Sequence, residues 1–194
     1  MYMKLILASK SPRRKEILGA MGYQFDILTA DCDESYEESL TPVEAVEVLA
    51  CRKGEAVALS HGFVSDEETV ILSSDTLVDL DGTALGKPVD SEDAMAMLRA
   101  LSGKTHYVHT GVAVRRGERV LSGVASTAVI FRTLTEEEMQ AYVDSGEPMD
   151  KAGAYGIQGV AGKFVERIDG DFDTVVGLSA RLSKRLLDEI EGAK

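Results

Sequence analysis

Short apolar runs and stretches of helical spacing take turns along this chain. Leu5-Ile6-Leu7 is apolar throughout and too short for a helix, so residues 4–8 read as a buried strand. Pro12 suits the first position of a helix and Gly22 its close, which predicts a helix over 12–21. Tyr23 to Thr29 reads as a second strand. Thr41-Pro42-Val43-Glu44 is a capping box with Pro just inside the helix, and Val43, Val46, Leu49, Ala50 and Val57 then recur at helical spacing to about His61. Thr69 to Leu72 reads as a buried strand that ends at Ser73-Ser74-Asp75-Thr76. Leu77 to Leu85, with Asp81-Gly82 at its middle, is a hairpin signal. Asp90 or Ser91 caps a helix to Leu101, stopped by Ser102-Gly103, with Met95, Leu98 and Leu101 as its core face. Thr105–Val114 and Arg119–Ile130 are expected as strands around an Arg116-Gly117 turn. A second capping box at Thr135–Glu138 opens a helix to about Asp144. Phe164–Ile168 is a further strand, and Leu178–Ile190 a closing amphipathic helix. No internal repeat or low-complexity segment interrupts this order.

At 194 residues the chain is long enough for a proper core, and 44% hydrophobic with 28% charged residues is an ordinary globular composition. A net charge of −12 argues against a general binder of nucleic acid or of membrane surfaces. Cys32 and Cys51 form no CxxC and no zinc spacing, and read as free thiols of a reducing compartment. No apolar run is long enough to span a membrane, and MYMKLILASK is too short for a signal peptide, so the expected location is cytoplasmic.

Against that acidic background Lys10, Arg13, Arg14 and Lys15 stand out. Ser9 to Arg14 lies where a strand gives way to a helix, where unpaired N–H groups and the helix dipole favour an anion. Two readings are open: a cradle for phosphate oxygens, or a solvated basic helix start. The acidic run Asp31, Asp33, Glu34, Glu37 and Glu38 is either a solvated loop or the source of a carboxylate for a divalent cation. Asp75 is either a turn residue or a carboxylate at the carboxyl end of a strand, where open α/β sheets carry ligands. Lys53 on its own reads as an exposed helix lysine. Pro88 holds Lys87 extended. His106 and His109, three apart in a strand, face opposite sides and read as structural or surface residues. The glycine-rich stretch 146–162 suggests backbone close to a ligand or another chain. Ala154, Tyr155 and Ile157 within it argue against a floppy connector.

Several stretches match one family in order: LASKSPRR at 7–14, SSDTLV at 73–78, GKP at 86–88, LSGKTHYVHTGV at 101–112, FRTLTEEE at 131–138 and GEPMDKAGAYGIQG at 146–159. On these the chain resembles the Maf family of nucleoside triphosphate pyrophosphatases, once described as septum-formation inhibitors. GAYGIQG resembles the branch that acts on dTTP and UTP. The resemblance implies one domain over 1–194, a mixed, strongly twisted α/β sheet with helices around a long cleft between two lobes, as in inosine triphosphate pyrophosphatases. It implies hydrolysis of a triphosphate to the monophosphate and pyrophosphate with Mg²⁺ or Mn²⁺. By motif, phosphate binding falls on Ser9, Arg13, Arg14, Lys53 and Lys87. The general base falls on Asp75, base selection on Arg13, Thr76 and Gln158, and the metal on Glu34 and Asp75. Asp31 and Asp33 stand close enough to Glu34 to compete for that last role. Cys51-Arg52-Lys53-Gly54 departs from the more usual Arg-Glu-Lys-Ala, which bears on helix packing there. The alternative function is a nucleotide-binding regulator of cell division that needs no turnover. The expected partner is the triphosphate, with neither nucleic acid nor membrane, and a homodimer is left open.

Overall fold

The computed structural model describes residues 4–192; residues 1–3, part of the start read above as too short for a leader, lie outside the described residues. Its strands are β1 (Lys4–Leu7), β2 (Asp26–Ile27), β3 (Thr69–Leu80), β4 (Thr83–Leu85), β5 (Thr105–Arg116), β6 (Arg119–Phe131) and β7 (Val165–Asp169). Its helices are α1 (Pro12–Ala20), α2 (Pro42–His61), α3 (Ser91–Leu101), α4 (Glu136–Asp144), α5 (Phe172–Val176) and α6 (Ala180–Gly192). The strands form one mixed sheet in the order β2-β1-β3-β5-β6-β7, with β4 paired to the far half of β3. β1 runs parallel to both neighbours, and the remaining pairs are antiparallel.

The expected end of β3 at Ser73 is overturned. The strand runs on through Asp75 to Leu80, because β5 pairs with it from Val70↔Arg116 to Asp79↔Tyr107. The polar run that imitates a strand end is satisfied inside the sheet. Ser73 Oγ donates to the Ala50 carbonyl at 2.7 Å, and Ser74 Oγ to the Gly177 carbonyl at 3.1 Å. The other edge of β3 is interrupted. β1 leaves it after Leu7↔Leu72, and β4 joins only at Val78↔Leu85. Asp75 therefore sits mid-strand beside a gap in the sheet, not at a strand terminus.

Two large apolar clusters lie toward opposite ends of β3. Leu5, Leu7, Leu18, Leu72, Leu178 and Leu187 belong to one, while Val78, Leu98, Leu101, Phe131, Tyr142 and Phe164 belong to the other. Met95 joins the second, as its spacing predicts. The second strand is shorter than expected, since only Asp26 and Ile27 reach β1; Tyr23 and Phe25 instead pack on the core. The hairpin between β3 and β4 turns through Asp81 and Gly82, both at positive φ, with Asp79 Oδ1 accepting the Gly82 N–H at 2.7 Å. The expected closing helix begins at Ala180, after the short α5 that sequence spacing does not announce.

Helix α2 lies on β3 and β5. Both of its capping-box bonds form, and its apolar face is buried except for Val43, which stays exposed. At Gly111 a Cβ would stand 2.4 Å from the Val46 carbonyl oxygen, so glycine allows the helix to approach β5. At Gly54 a Cβ would stand 2.7 Å from Ser73 Oγ, which accounts for the departure at position 54: the serine hydroxyl takes the space of the alanine methyl. Gly54→Ala would gain about 1 kcal/mol of helix propensity. It would displace a buried hydroxyl whose lost bond costs about 1–3 kcal/mol. The variant is therefore expected to lose about 1 kcal/mol net in denaturant unfolding. Adding Ser73→Ala should restore stability; a Gly54→Ala protein more stable than wild type would contradict this packing.

Candidate active site

The gap beside β3 opens into a cleft of about 810 Å³. Five cations, Arg13, Arg14, Lys53, Lys87 and Lys151, and five carboxylates, Glu16, Glu34, Asp75, Glu147 and Asp150, line it. In a chain of net charge −12 this balanced wall is locally rich in positive charge, which suits a small polyanion. Lys10 and Lys15 are exposed and do not line the cleft, so two of the four basic residues at the first turn reach it.

That turn is built by two serines. Ser9 is buried, and its Oγ accepts the Ser11 N–H at 3.1 Å; Ser11 in turn caps α1, with Pro12 next. Ser9 thus lies behind the cleft wall and shapes the turn, while Ser11 faces the cleft. The arginines that follow differ. Arg14 Nε donates to the Gly177 carbonyl at 2.7 Å, and its Nη2 to Thr76 Oγ1 at 3.2 Å. Thr76 Oγ1 shares a hydrogen bond of 3.0 Å with Thr110 Oγ1, which donates to the Thr174 carbonyl. Burial pulls the Arg14 pKa down and Asp75 pushes the other way. Arg13 lines the same cleft without a protein hydrogen bond among the described residues.

Lys53 is not the exposed lysine its helix position suggests. It projects from α2 between two carboxylates, donating to Asp75 Oδ1 and to Glu34 Oε1, the latter at 2.9 Å. Burial opposes charge on its ammonium, but Asp75 and Glu34 outweigh burial and raise its pKa. The hydrogen bond and charge of Lys53 hold Glu34 below the usual carboxylate range. The acidic loop is pinned as well. Asp33 accepts from the N–H and Oγ of Ser35, both at 2.8 Å. Arg52 Nη1 donates to the carbonyls of Asp33 and Ser35 on either side of Glu34. Asp33 is thereby engaged in its own turn while Glu34 faces the cleft.

The glycine-rich stretch is ordered rather than a connector. It winds through 3-10 turns at Glu147–Asp150, Ala152–Ala154 and Val160–Phe164. Gly153 donates to the Gly86 carbonyl at 2.9 Å, tying the stretch to the Lys87 turn; its φ is +67° and a Cβ would press on Val78. Tyr142 Oη accepts the Gly156 N–H at 3.2 Å and lies 3.3 Å from Glu147 Oε1, to which it donates. Tyr155 is buried, its hydroxyl 2.8 Å from His106 Nε2. Gln158 then faces the cleft, exposed.

His106 and His109 both stay out of the cleft. His109 lies between Asp79 and Ser126, and His106 among Phe131 and Tyr155. Burial lowers the His106 pKa to about 4, so it is neutral when folded. Because the unfolded chain binds this proton more readily, its contribution is complete above about pH 6.5 and lost as pH falls toward 4, up to about 3 kcal/mol. The stability difference between wild type and His106→Gln should therefore shrink across that window; a difference that does not vary with pH would contradict a buried neutral ring.

The sequence model of Maf-like proteins matches residues 4–190. The chain belongs to the Maf-like family. A relative from Aliivibrio fischeri, named dTTP/UTP pyrophosphatase, is 45% identical over 189 residues, covering 97% of this chain and 99% of its own. A relative of the same name from Hahella chejuensis is 49% identical over 175 residues, covering 90% and 86%. Among solved structures the Staphylococcus aureus Ham1 protein covers 98% of this chain and 100% of its own, at a TM-score of 0.51 and 12% identity, a likeness of fold. The mixed α/β sheet with flanking helices is the architecture expected from the motifs.

In this Maf-like chain Arg13, Arg14, Glu34, Lys53, Asp75, Thr76, Lys87 and Gln158, scattered over the sequence, line one cleft. Ser9 supports it from behind. Sequence reasoning missed Lys151, the Gly177 carbonyl that holds Arg14, and the Arg52 clamp on the acidic loop. Glu34 and Asp75 converge on a single cation, the Lys53 ammonium, and theirs are the oxygens that could hold a hard divalent ion here. Among the described residues no group of three or more His, Cys, Asp or Glu side chains gathers as a metal site. Two protein oxygens suit Mg²⁺ or Mn²⁺, which keep waters and share phosphate oxygens.

Proposed function

We propose that this chain hydrolyses pyrimidine nucleoside triphosphates, dTTP, UTP and modified forms such as 5-methyl-UTP, to the monophosphate and pyrophosphate. The observation that carries this reading is Asp75, a carboxylate fixed mid-strand among Arg14, Lys53 and the other cleft cations. The names of the two relatives, dTTP/UTP pyrophosphatase, support dTTP and UTP as substrates.

Arg13, Lys53 and Lys87 bind phosphate oxygens, with Ser9 shaping the turn that carries Arg13 and Arg14. Asp75 takes a proton from water as that water attacks the α-phosphorus. A new P–O bond forms, the bond from the α-phosphorus to the bridging oxygen breaks, and pyrophosphate leaves with its electron pair. Negative charge growing on the phosphoryl oxygens is met by the cations already in place. Glu34 and Asp75 would hold a divalent cation, which would supply further positive charge against the phosphates. Gln158 offers an amide donor and acceptor to the pyrimidine edge, with Thr76 and Arg13 also setting base choice. A pure binding role fits less well, because Asp75 would repel a triphosphate it did not process. No helix among the described residues is long and apolar enough to cross a membrane. Cys32 and Cys51 are free, which supports a reducing, cytoplasmic setting.

Pyrophosphate release by the purified protein across all common triphosphates, with Mg²⁺ and with Mn²⁺, tests this. UTP and dTTP should lead the panel. Gln158→Ala should change the ranking of kcat/KM among bases. A uniform loss over all bases would place Gln158 on the phosphates instead, and no turnover of any triphosphate would sink the reading.

A further inference from the structure

Lys53 stands at the point where Glu34 and Asp75 converge. Its ammonium reaches Glu34 Oε1 at 2.9 Å while also touching Asp75 Oδ1. The two carboxylates come from distant parts of the chain, a loop before α2 and the middle of β3. A cation from α2 joins them. The backbone that carries each carboxylate is held: Asp75 lies in the β3–β5 ladder, and Arg52 grips the backbone on both sides of Glu34. A divalent ion bound between these same oxygens would need the space that Nζ now fills. Ammonium and metal cannot share that position, because like charges repel and the oxygens' lone pairs are already directed at one centre.

We propose that Lys53 is an internal stand-in for the divalent cation, holding Glu34 and Asp75 together in the nucleotide-free protein and giving up its place when the cation arrives with a triphosphate. The proposal rests on the reading above that Glu34 and Asp75 hold the metal. It makes cation and nucleotide binding mutually dependent. The Lys53 side chain is only 19% exposed, so an ammonium displaced by metal alone would lose both carboxylates with little water to replace them. A triphosphate supplies new oxygen partners for it in the same cleft. Metal therefore binds poorly without nucleotide, and the coupling is reciprocal. The arrangement also keeps the two acidic side chains from repelling each other, or an incoming phosphate, before the metal is present.

The test is Mn²⁺ binding to nucleotide-free protein, followed by electron paramagnetic resonance, for wild type, Lys53→Met and Lys53→Gln. Both variants should bind Mn²⁺ at least about 10-fold more tightly than wild type, a coupling of ordinary allosteric size. The gain should vanish when Asp75→Asn is added to either. Variants that bind no more tightly than wild type overturn the proposal, as does a gain that survives Asp75→Asn, since the ion then sits elsewhere. If neither variant folds, the wild-type protein labelled with ¹⁵N-lysine supplies the reading. Mg²⁺ added with a non-hydrolysable UTP analogue should shift or abolish the Lys53 ammonium signal beyond the change the analogue alone produces, and a signal no different from that with the analogue alone overturns the exchange. UTP turnover by wild type, measured in parallel, decides the underlying reading separately. Turnover without the Mn²⁺ gain removes only the stand-in role, whereas the gain without turnover supports that role and removes the hydrolase reading.

Discussion

Asp75→Asn is expected to cut kcat about 10³-fold while leaving UTP affinity within a few-fold of wild type. The side chain is nearly buried, sits beside the gap in the sheet and faces the cleft cations. Asparagine keeps its shape but cannot take a proton from water at neutral pH. The loss belongs in kcat because the group acts on the reacting water and not on ground-state phosphates. A rival role predicts something different. If Asp75 serves chiefly as a metal ligand, asparagine weakens cation affinity, and activity returns at high Mn²⁺. No return, with unchanged UTP affinity, identifies the base. Near-normal turnover at ordinary Mg²⁺ would remove both roles.

Most helices and strands were legible because their signals are local. The capping boxes at Thr41 and Thr135 form as read, and the Asp81-Gly82 hairpin takes the backbone its residues favour. The extent of β3 was not legible. Ser73-Ser74-Asp75-Thr76 has the composition of a turn, and only its distant partners, β5, Ala50 and Gly177, make it a strand. The opposite error occurs over 23–29, where an apolar, strand-like run finds room for two paired residues because β1 itself is short.

The site divides in the same way. Side chains carried by motif, from Arg13 to Gln158, gather in the cleft as the resemblance implies. What the motifs do not carry is how those side chains are held. A backbone carbonyl such as that of Gly177 leaves no trace in residue type, yet it takes a donor of Arg14. Arg52 looks like any helix arginine until the loop bearing Glu34 folds against it. Lys53 read as exposed because helical position says nothing of the β3 carboxylate it meets.

The difference between the two arginines leads to the second large effect. Arg14→Lys is expected to lower kcat/KM about 10²-fold and to reduce stability by about 1–2 kcal/mol. The guanidinium fork joins β3, through Thr76, to the turn before α6, through Gly177. A lysine ammonium on a flexible stem cannot reproduce two fixed donors at that separation, so either the Gly177 carbonyl keeps only Ser74 or Thr76 keeps only Thr110. Thr76 is then free to turn toward Thr110 alone, and the side chains around Asp75 lose their register. Arg13 has no such duty among the described residues, so Arg13→Lys should lose activity through poorer phosphate geometry while stability stays within about 0.5 kcal/mol of wild type. Denaturant unfolding and UTP kinetics on both variants separate the roles. Equal stabilities for the two would show that the Gly177 and Thr76 bonds do not tie the cleft together. An Arg14→Lys enzyme within about threefold of wild-type kcat/KM would show that the cleft does not need them.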